Sequence, residues 1–268
     1  VSNSVEQQHQ AVTIAIDNGI AHVTLNRPEK HNALDMTMFI AIDQAIKTIA
    51  KDKSVRVVVV SGNGPSFCSG LDVKSVLSNS SSALKLLWKW LPGNANLAQR
   101  VSVGWRRLKV PVIMALHGKC WGGGMQIALG GDYRIASTDC SLAIMESRWG
   151  LIPDMGGTLA LRECLGADQA MLLAMTAAPL RARQARKLGL VTEVTDQPVA
   201  AAMALAEQLA ARSPDTNRAI KTVYHRTWCP AERRILAQET LNQIRIIAGK
   251  NQRIAVRREQ GQHDLQFK

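Results

Sequence analysis

The run at residues 55–60 is the strongest constraint on what this chain can fold into. It holds four consecutive valines, at positions 57 to 60, and branched side chains on both sides of a strand leave it no polar face. Such a strand needs apolar cover above and below, the situation of a central strand in a parallel sheet flanked by helices. Shorter strand-like runs recur at residues 111–116 and 132–136, with helical patterning between them. Strand, helix, strand, helix predicts an α/β architecture with parallel pairing.

Other segments refine this frame. Alternating runs at residues 11–16 and 20–25 surround Asp17-Asn18-Gly19, and Asn-Gly between β-like runs predicts a hairpin. Asn32 stands where a helix N-cap is expected. Leu34, Met38, Ile42, Ile46 and Ile49 then follow at spacings of three and four, which predicts an amphipathic helix ending near Lys51. Residues 75–96 combine a serine cluster with an apolar stretch containing Trp88 and Trp90. That segment reads either as a lid over an apolar pocket or as a surface loop leading into a core helix. After Val194 the strand signal stops: residues 199–212 are Ala-rich and helical. Residues 230–248 read as another helix, with Pro230 at its start and Gly249 just past its end. Two regions are therefore expected, a mixed core over residues 1–195 and a helical region over residues 196–268.

Composition narrows the class. With 268 residues, 46% hydrophobic and 20% charged, the chain has the balance of a globular protein, not of collagen, a disordered tail or a disulfide miniprotein. Its longest apolar runs fall far short of the roughly 20 residues a membrane span requires. Cysteines 68, 120, 140, 164 and 229 are scattered and form no C-x-x-C pair, so a reducing compartment is expected. Residues 1–10 are polar, without Arg or an apolar stretch, so neither a signal nor a transit peptide is read there and the cytoplasm is the expected location. The net charge is +12, and residues 212–268 hold twelve Lys/Arg against five Asp/Glu. A basic surface suits a polyphosphate partner, whether nucleic acid, an anionic membrane or a nucleotide-bearing molecule; it suits a merely solvated face as well.

No phosphate-loop, dinucleotide, zinc-protease or nucleophile-elbow motif occurs. The six histidines do not pair at ligand spacing, so no metal site is expected, and His22 and His117 are expected to be structural. What remains is two glycine-bearing turns, each after a strand: residues 61–74, including Phe67-Cys68-Ser69-Gly70-Leu71-Asp72, and residues 117–126, including Trp121-Gly122-Gly123-Gly124. Three glycines opening a helix put unhindered N–H groups where a developing oxyanion is stabilised. Tight helix–strand packing explains three glycines equally well.

Taken together, these blocks resemble the crotonase, or enoyl-CoA hydratase/isomerase, superfamily. The resemblance is carried by Leu25-Asn26-Arg27-Pro28 with Asn32-Ala33-Leu34, by residues 67–74, and by Gly118 through Gly124. Glu146 with Gly150-Leu151-Ile152-Pro153, Gly156-Gly157-Thr158, and Ala185 with Gly189-Leu190-Val191 continue it in the family's order. It implies a crotonase-like spiral of ββα units over residues 1–195 that binds and transforms an acyl-CoA. It also implies a C-terminal helical region, residues 196–268, that builds homotrimers or hexamers. By motif, the amides of Leu71 and Gly123 would form the oxyanion hole around the thioester carbonyl. Lys30, His31, Ala33, Ser69, Asp72 and Lys74 would lie at the CoA. No cofactor beyond CoA, which arrives with the substrate, is implied.

The acid/base positions decide the subclass. Where family hydratases use two glutamates to activate water, this chain has Gln126 and Glu146, and an amide neither takes nor gives a proton at neutral pH. Asp154 stands where the family's dienoyl-CoA isomerases carry an acid, although those enzymes also have an aspartate at the Gln126 position. The resemblance therefore implies catalytic roles for Glu146 and Asp154, with Gln126 lining the acyl pocket or holding water. Double-bond migration is favoured over hydration. Asp154 as an ordinary turn residue stays open, as do an acyl-CoA-binding protein without this chemistry and an RNA-binding one. No aromatic–basic interleaving supports the last.

Overall fold

The structure, a computed structural model, describes residues 10–72, 75, 85–228 and 232–265. Lys74, most of the serine-rich part of residues 75–96, Cys229 and Pro230 lie outside the described residues.

The predicted hairpin is formed by β1 (Val12–Asp17) and β2 (Ile20–Leu25), paired antiparallel. Asn18 and Gly19 at its turn both have positive φ, 49° and 79°, as a two-residue turn that matches strand twist requires. Helix α1 (Met36–Lys51) ends where its periodicity predicts. Its cap differs: Asp35 accepts the Met38 N–H at 2.8 Å. Asn32 is instead wholly buried in a left-handed conformation. Its side chain accepts the Arg27 N–H at 2.7 Å and donates to the Asn63 and Ser66 carbonyls at 3.0 and 2.8 Å. An asparagine before an apolar periodic run meets the requirements of a cap and of a loop-to-loop tie equally, and here the tie wins.

Strand β3 (Val57–Gly62) pairs in parallel with β2 and with β4 (Val112–Leu116). Its faces are divided as the valine run demands. Val58 and Val60 join the main core with α1 and α2 (Leu97–Arg107), while Val57 and Val59 pack under α7 (Pro198–Ala210) against Ala202 and Ala206. β6 (Tyr133–Ala136) and β9 (Glu193–Val194) complete a six-stranded sheet in the order β1-β2-β3-β4-β6-β9. A smaller sheet, β5 (Lys119–Trp121), β7 (Ser141–Ala143) and β8 (Leu180–Arg181), lies beside it. Parallel bridges Cys68–Cys120 and Leu34–Leu71 continue the smaller sheet's pattern into earlier parts of the chain. Each turn therefore gives one stretch to the large sheet, one to the small-sheet side, and then a helix, as in β4–β5–α3 (Gly123–Leu129). This is the expected spiral of ββα units.

The remaining helices are α4 (Gly157–Cys164), α5 (Ala167–Thr176), α6 (Ala182–Lys187), α8 (Pro214–Thr227), α9 (Glu232–Ala248) and α10 (Lys250–Glu259). Among the described residues no strand follows β9. Gly249 does follow α9, but with φ −78° it is the N-cap of α10. Not all the basic charge of this region faces solvent, because Lys221 is buried on Asp132 at 2.7 Å and on the Val110 carbonyl. No described helix is long and apolar enough to cross a membrane.

Candidate active site

The two glycine turns pack against each other. Cys68 and Trp121 exchange backbone bonds with the facing strand, and a Cβ on Gly124 would stand 2.4 Å from the Cys68 carbonyl oxygen. One on Gly70, whose φ is +96°, would stand 2.8 Å from the Trp121 oxygen and 3.6 Å from the Gly123 nitrogen. The glycines thus serve both readings at once, since close packing is what brings Leu71 and Gly123 to the wall of one cavity. Among the described residues neither amide donates to a protein acceptor. Gly123 opens α3, so its N–H also carries the positive end of the helix dipole.

Leu71 and Gly123 both line a cavity of about 660 Å³. Its wall is largely apolar, with Phe39, Leu86, Met145, Trp149, Leu151 and Met155, and Glu146 and Asp154 are among its polar lining residues. Residues of α10 close one side, where Arg253 and Arg257 bring positive charge and Glu259 pairs with Arg148 at 2.5 Å.

Glu146 begins a 3₁₀ turn after β7. Its Oε1 accepts the Gln126 Nε2–H at 2.6 Å, and its Oε2 is shut off from solvent with no hydrogen-bond partner among the described residues. Burial pushes its carboxyl above the ordinary range, opposed by the Gln126 bond and by the backbone N–H groups of Glu146 and Met145. Asp154 is pushed up to about 8, first by burial and then by the negative charges of Glu239 and Glu146; its own N–H and Lys89 act the other way. Burial thus favours the protonated form of both carboxyls, and the negative charges beside Asp154 add to that push.

Gln126 sits elsewhere than expected. It is buried, does not line the cavity, and uses both ends of its amide on protein. The NH₂ group donates to Glu146, and Oε1 accepts the Met155 and Gly157 N–H groups at 2.9 and 3.2 Å. It orients Glu146 and pins the loop carrying Asp154.

Of the residues expected at CoA, Ser69 lines the cavity. Lys30 ends an exposed 3₁₀ turn (Pro28–Lys30). His31 and Ala33 lie on the same loop, where the His31 ring meets Ser66 Oγ at 3.0 Å and the Ala33 carbonyl accepts from Arg27. Asp72 is held by Arg27 at 3.4 Å and accepts the Ser75 N–H, so it braces the two loops against each other. His22 meets Ser61 Oγ at 2.8 Å, with its pKa lowered by burial, and His117 meets the Gly64 carbonyl at 2.9 Å. Both are structural.

Sequence reasoning missed Lys89, Glu239 and Gln243. Gln243 accepts the Ile152 N–H at 3.0 Å, while Glu239 accepts from Gly156 at 2.9 Å and from Thr158 at 3.3 Å. Leu236, Glu239, Thr240 and Gln243 share one face of α9 at spacings of three and four, and all four are buried. Polar residues in phase with a core leucine were the available signal.

Comparison with known proteins places this geometry. The family model described as enoyl-CoA hydratase/isomerase matches residues 15–266. The chain is 32% identical over 183 residues to a peroxisomal Delta(3,5)-Delta(2,4)-dienoyl-CoA isomerase of Arabidopsis thaliana, a match covering 66% of each chain, so it spans about two thirds of that relative's length. It is 32% identical over 214 residues to the (E)-benzylidenesuccinyl-CoA hydratase of Thauera aromatica, covering 78% of this chain and 80% of that one. In fold it is similar to the crystal structure of an enoyl-CoA hydratase/isomerase from Pseudoalteromonas atlantica, with TM-score 0.82 at 23% identity, over 96% of this chain and 100% of the other.

Proposed function

The chain belongs to the enoyl-CoA hydratase/isomerase family, and from that premise we propose that it moves a double bond along the acyl chain of an enoyl- or dienoyl-CoA. The observation that carries this reading is the pair Glu146 and Asp154, both lining the cavity that Leu71 and Gly123 also line. The Leu71 and Gly123 N–H groups hold the thioester oxygen. The Glu146 carboxylate takes a proton from the carbon next to the thioester, and the released electron pair delocalises onto that oxygen and, in the other direction, into the double bond. Two preorganised donors favour this enolate over the neutral substrate, and losing one typically costs roughly 3–4 kcal/mol of barrier. Asp154, protonated at neutral pH, delivers a proton to the far end of the conjugated system as the electrons return. The two carboxyls again hold one proton between them, now exchanged, and a transfer across the pair or through solvent resets them.

Hydration needs a second group that trades protons with water, and the Gln126 amide is not one. Arg253 and Arg257 on the cavity wall suit the phosphates of CoA, and the family resemblance assigns Lys30, His31, Ala33, Ser69, Asp72 and Lys74 to the same molecule. Assembly into trimers or hexamers belongs to the same proposal and is supported by exposed Ile220, Tyr224 and Trp228 around α8 and by Met171 and Met175 on α5. The test is product analysis on 2-trans-enoyl-, 3-enoyl- and 3,5-dienoyl-CoA in deuterated water. Migration without water addition is expected, with Glu146→Gln slower by about 10²–10⁴-fold. Rapid formation of 3-hydroxyacyl-CoA would overturn the isomerase reading in favour of hydratase.

A further inference from the structure

Glu239 has no part in the steps above, yet it is a buried carboxylate a short distance from them. It projects from α9, more than eighty residues along the chain from the loop it touches. Its Oε2 accepts the Gly156 N–H at 2.9 Å and the Gln99 Nε2–H at 3.2 Å, and its Oε1 accepts the Thr158 N–H at 3.3 Å. Gly156 is the N-cap of α4, with φ +84° and no side chain to cap with. Glu239 thus supplies from another element the anion that a helix N-terminus favours. Three N–H donors favour its ionised form, although burial pushes its carboxyl upward.

Lys89 completes the arrangement. Its ammonium donates to the Leu236 carbonyl of α9 at 2.8 Å and to the Pro92 carbonyl at 3.2 Å. It interacts favourably with both Glu239 and Asp154. The charged groups that act on Asp154 are therefore Glu239 from α9, Glu146 from the turn after β7, and Lys89 from the segment before α2. Arg148, Arg253, Arg257 and Glu259 line the same cavity.

We propose that Glu239 is a positioning residue that caps the Gly156–Thr158 turn and keeps a negative charge behind Asp154, so that Asp154 enters the reaction as a proton donor while Lys89 limits the effect. Helix α9 would then contribute to proton transfer through a residue that does not line the cavity. This rests on the isomerase reading only where activity is the readout, so the experiment has two arms.

The first arm follows the Asp154 carboxyl directly, by ¹³C NMR titration of protein labelled at aspartate Cγ, with the signal assigned by its loss in Asp154→Asn. In Glu239→Gln the Asp154 titration is expected to move to lower pH by about one unit, the scale of a nearby like charge. In Lys89→Gln it moves to higher pH, and Glu239→Asp retains the wild-type value. General loosening of the loop would move the first two variants in the same direction, so opposite signs separate charge from structure. If Glu239→Gln fails to fold, Lys89→Gln and Glu239→Asp carry the comparison. The second arm is the pH profile of kcat, whose alkaline limb should move with the titration. An Asp154 titration unchanged in Glu239→Gln and Lys89→Gln overturns the inference. Titrations that move as expected, with no isomerisation at any pH, leave it standing and refute the isomerase reading instead.

Discussion

Replacing Asp154 by asparagine should make the protein more stable at neutral and alkaline pH while impairing its chemistry. The magnitude follows from the carboxyl's environment. In the unfolded chain an aspartate ionises near 3.8, and in the fold Asp154 is pushed up to about 8. A group whose pKa is raised by folding gives stability that is fully present below its unfolded pKa and lost as the pH climbs to its folded pKa. Each pH unit in that window is worth about 1.4 kcal/mol. Because Asp154 is coupled to Glu146 and Glu239, only part of this belongs to one residue. Between pH 5 and pH 8.5 the variant's advantage should widen by about 2–4 kcal/mol. Urea unfolding of both proteins at pH 5, 7 and 8.5, analysed with a common m-value, measures the gap. A difference constant across that range would refute the reasoning, because a neutral asparagine carries no pH-dependent cost and any fixed offset reflects packing alone. Loss of activity with gain of stability is the pattern expected where a buried acid is kept for function.

Other consequences concern the residues that hold the site together. Gln126→Leu removes the donor to Glu146 and leaves the Met155 and Gly157 N–H groups unpaired in a buried loop. Unfolding free energy should fall by about 2–6 kcal/mol, and kcat should fall far more than KM rises, since Gln126 does not line the cavity; steady-state kinetics on the folded fraction check this. Asn32→Ala removes two hydrogen bonds that tie the early loop to residues 63–66 and a third within that loop. A loss of about 2–4 kcal/mol in urea unfolding is expected, with weaker acyl-CoA binding by calorimetry. A change below about 0.5 kcal/mol, typical of an exposed site, would contradict its placement.

Much of this molecule is legible along the chain because it depends on near neighbours. Asn18-Gly19 adopts the two left-handed conformations of a hairpin turn, a property of those two residues alone. The valines at 57 to 60 demand cover on both faces whatever supplies it, and here α1 with α2 and α7 supply it. Glu146, Asp154 and the two glycine turns were legible too, as residue types in a recognisable order. Asn32 shows where local reading stops: cap and tie share the same sequence signal, and only the arrival of residues 63–66 selects the tie.

The functional detail was settled by contacts between distant parts of the chain. Gln126 reads as a pocket residue until the Asp154 loop folds over it and takes its carbonyl oxygen. Glu239, Gln243 and Lys89 carry no motif, and their roles exist only once α9 lies across the loop at residues 152–158. The charge state of Asp154 has the same origin. An aspartate's preference for ionisation is intrinsic, but the burial and the neighbouring carboxylates that reverse it come from elements far apart in the chain. Local propensity and apolar patterning are written into the order of residues, whereas proton affinity depends on who else is nearby, which the packing of the folded chain alone establishes.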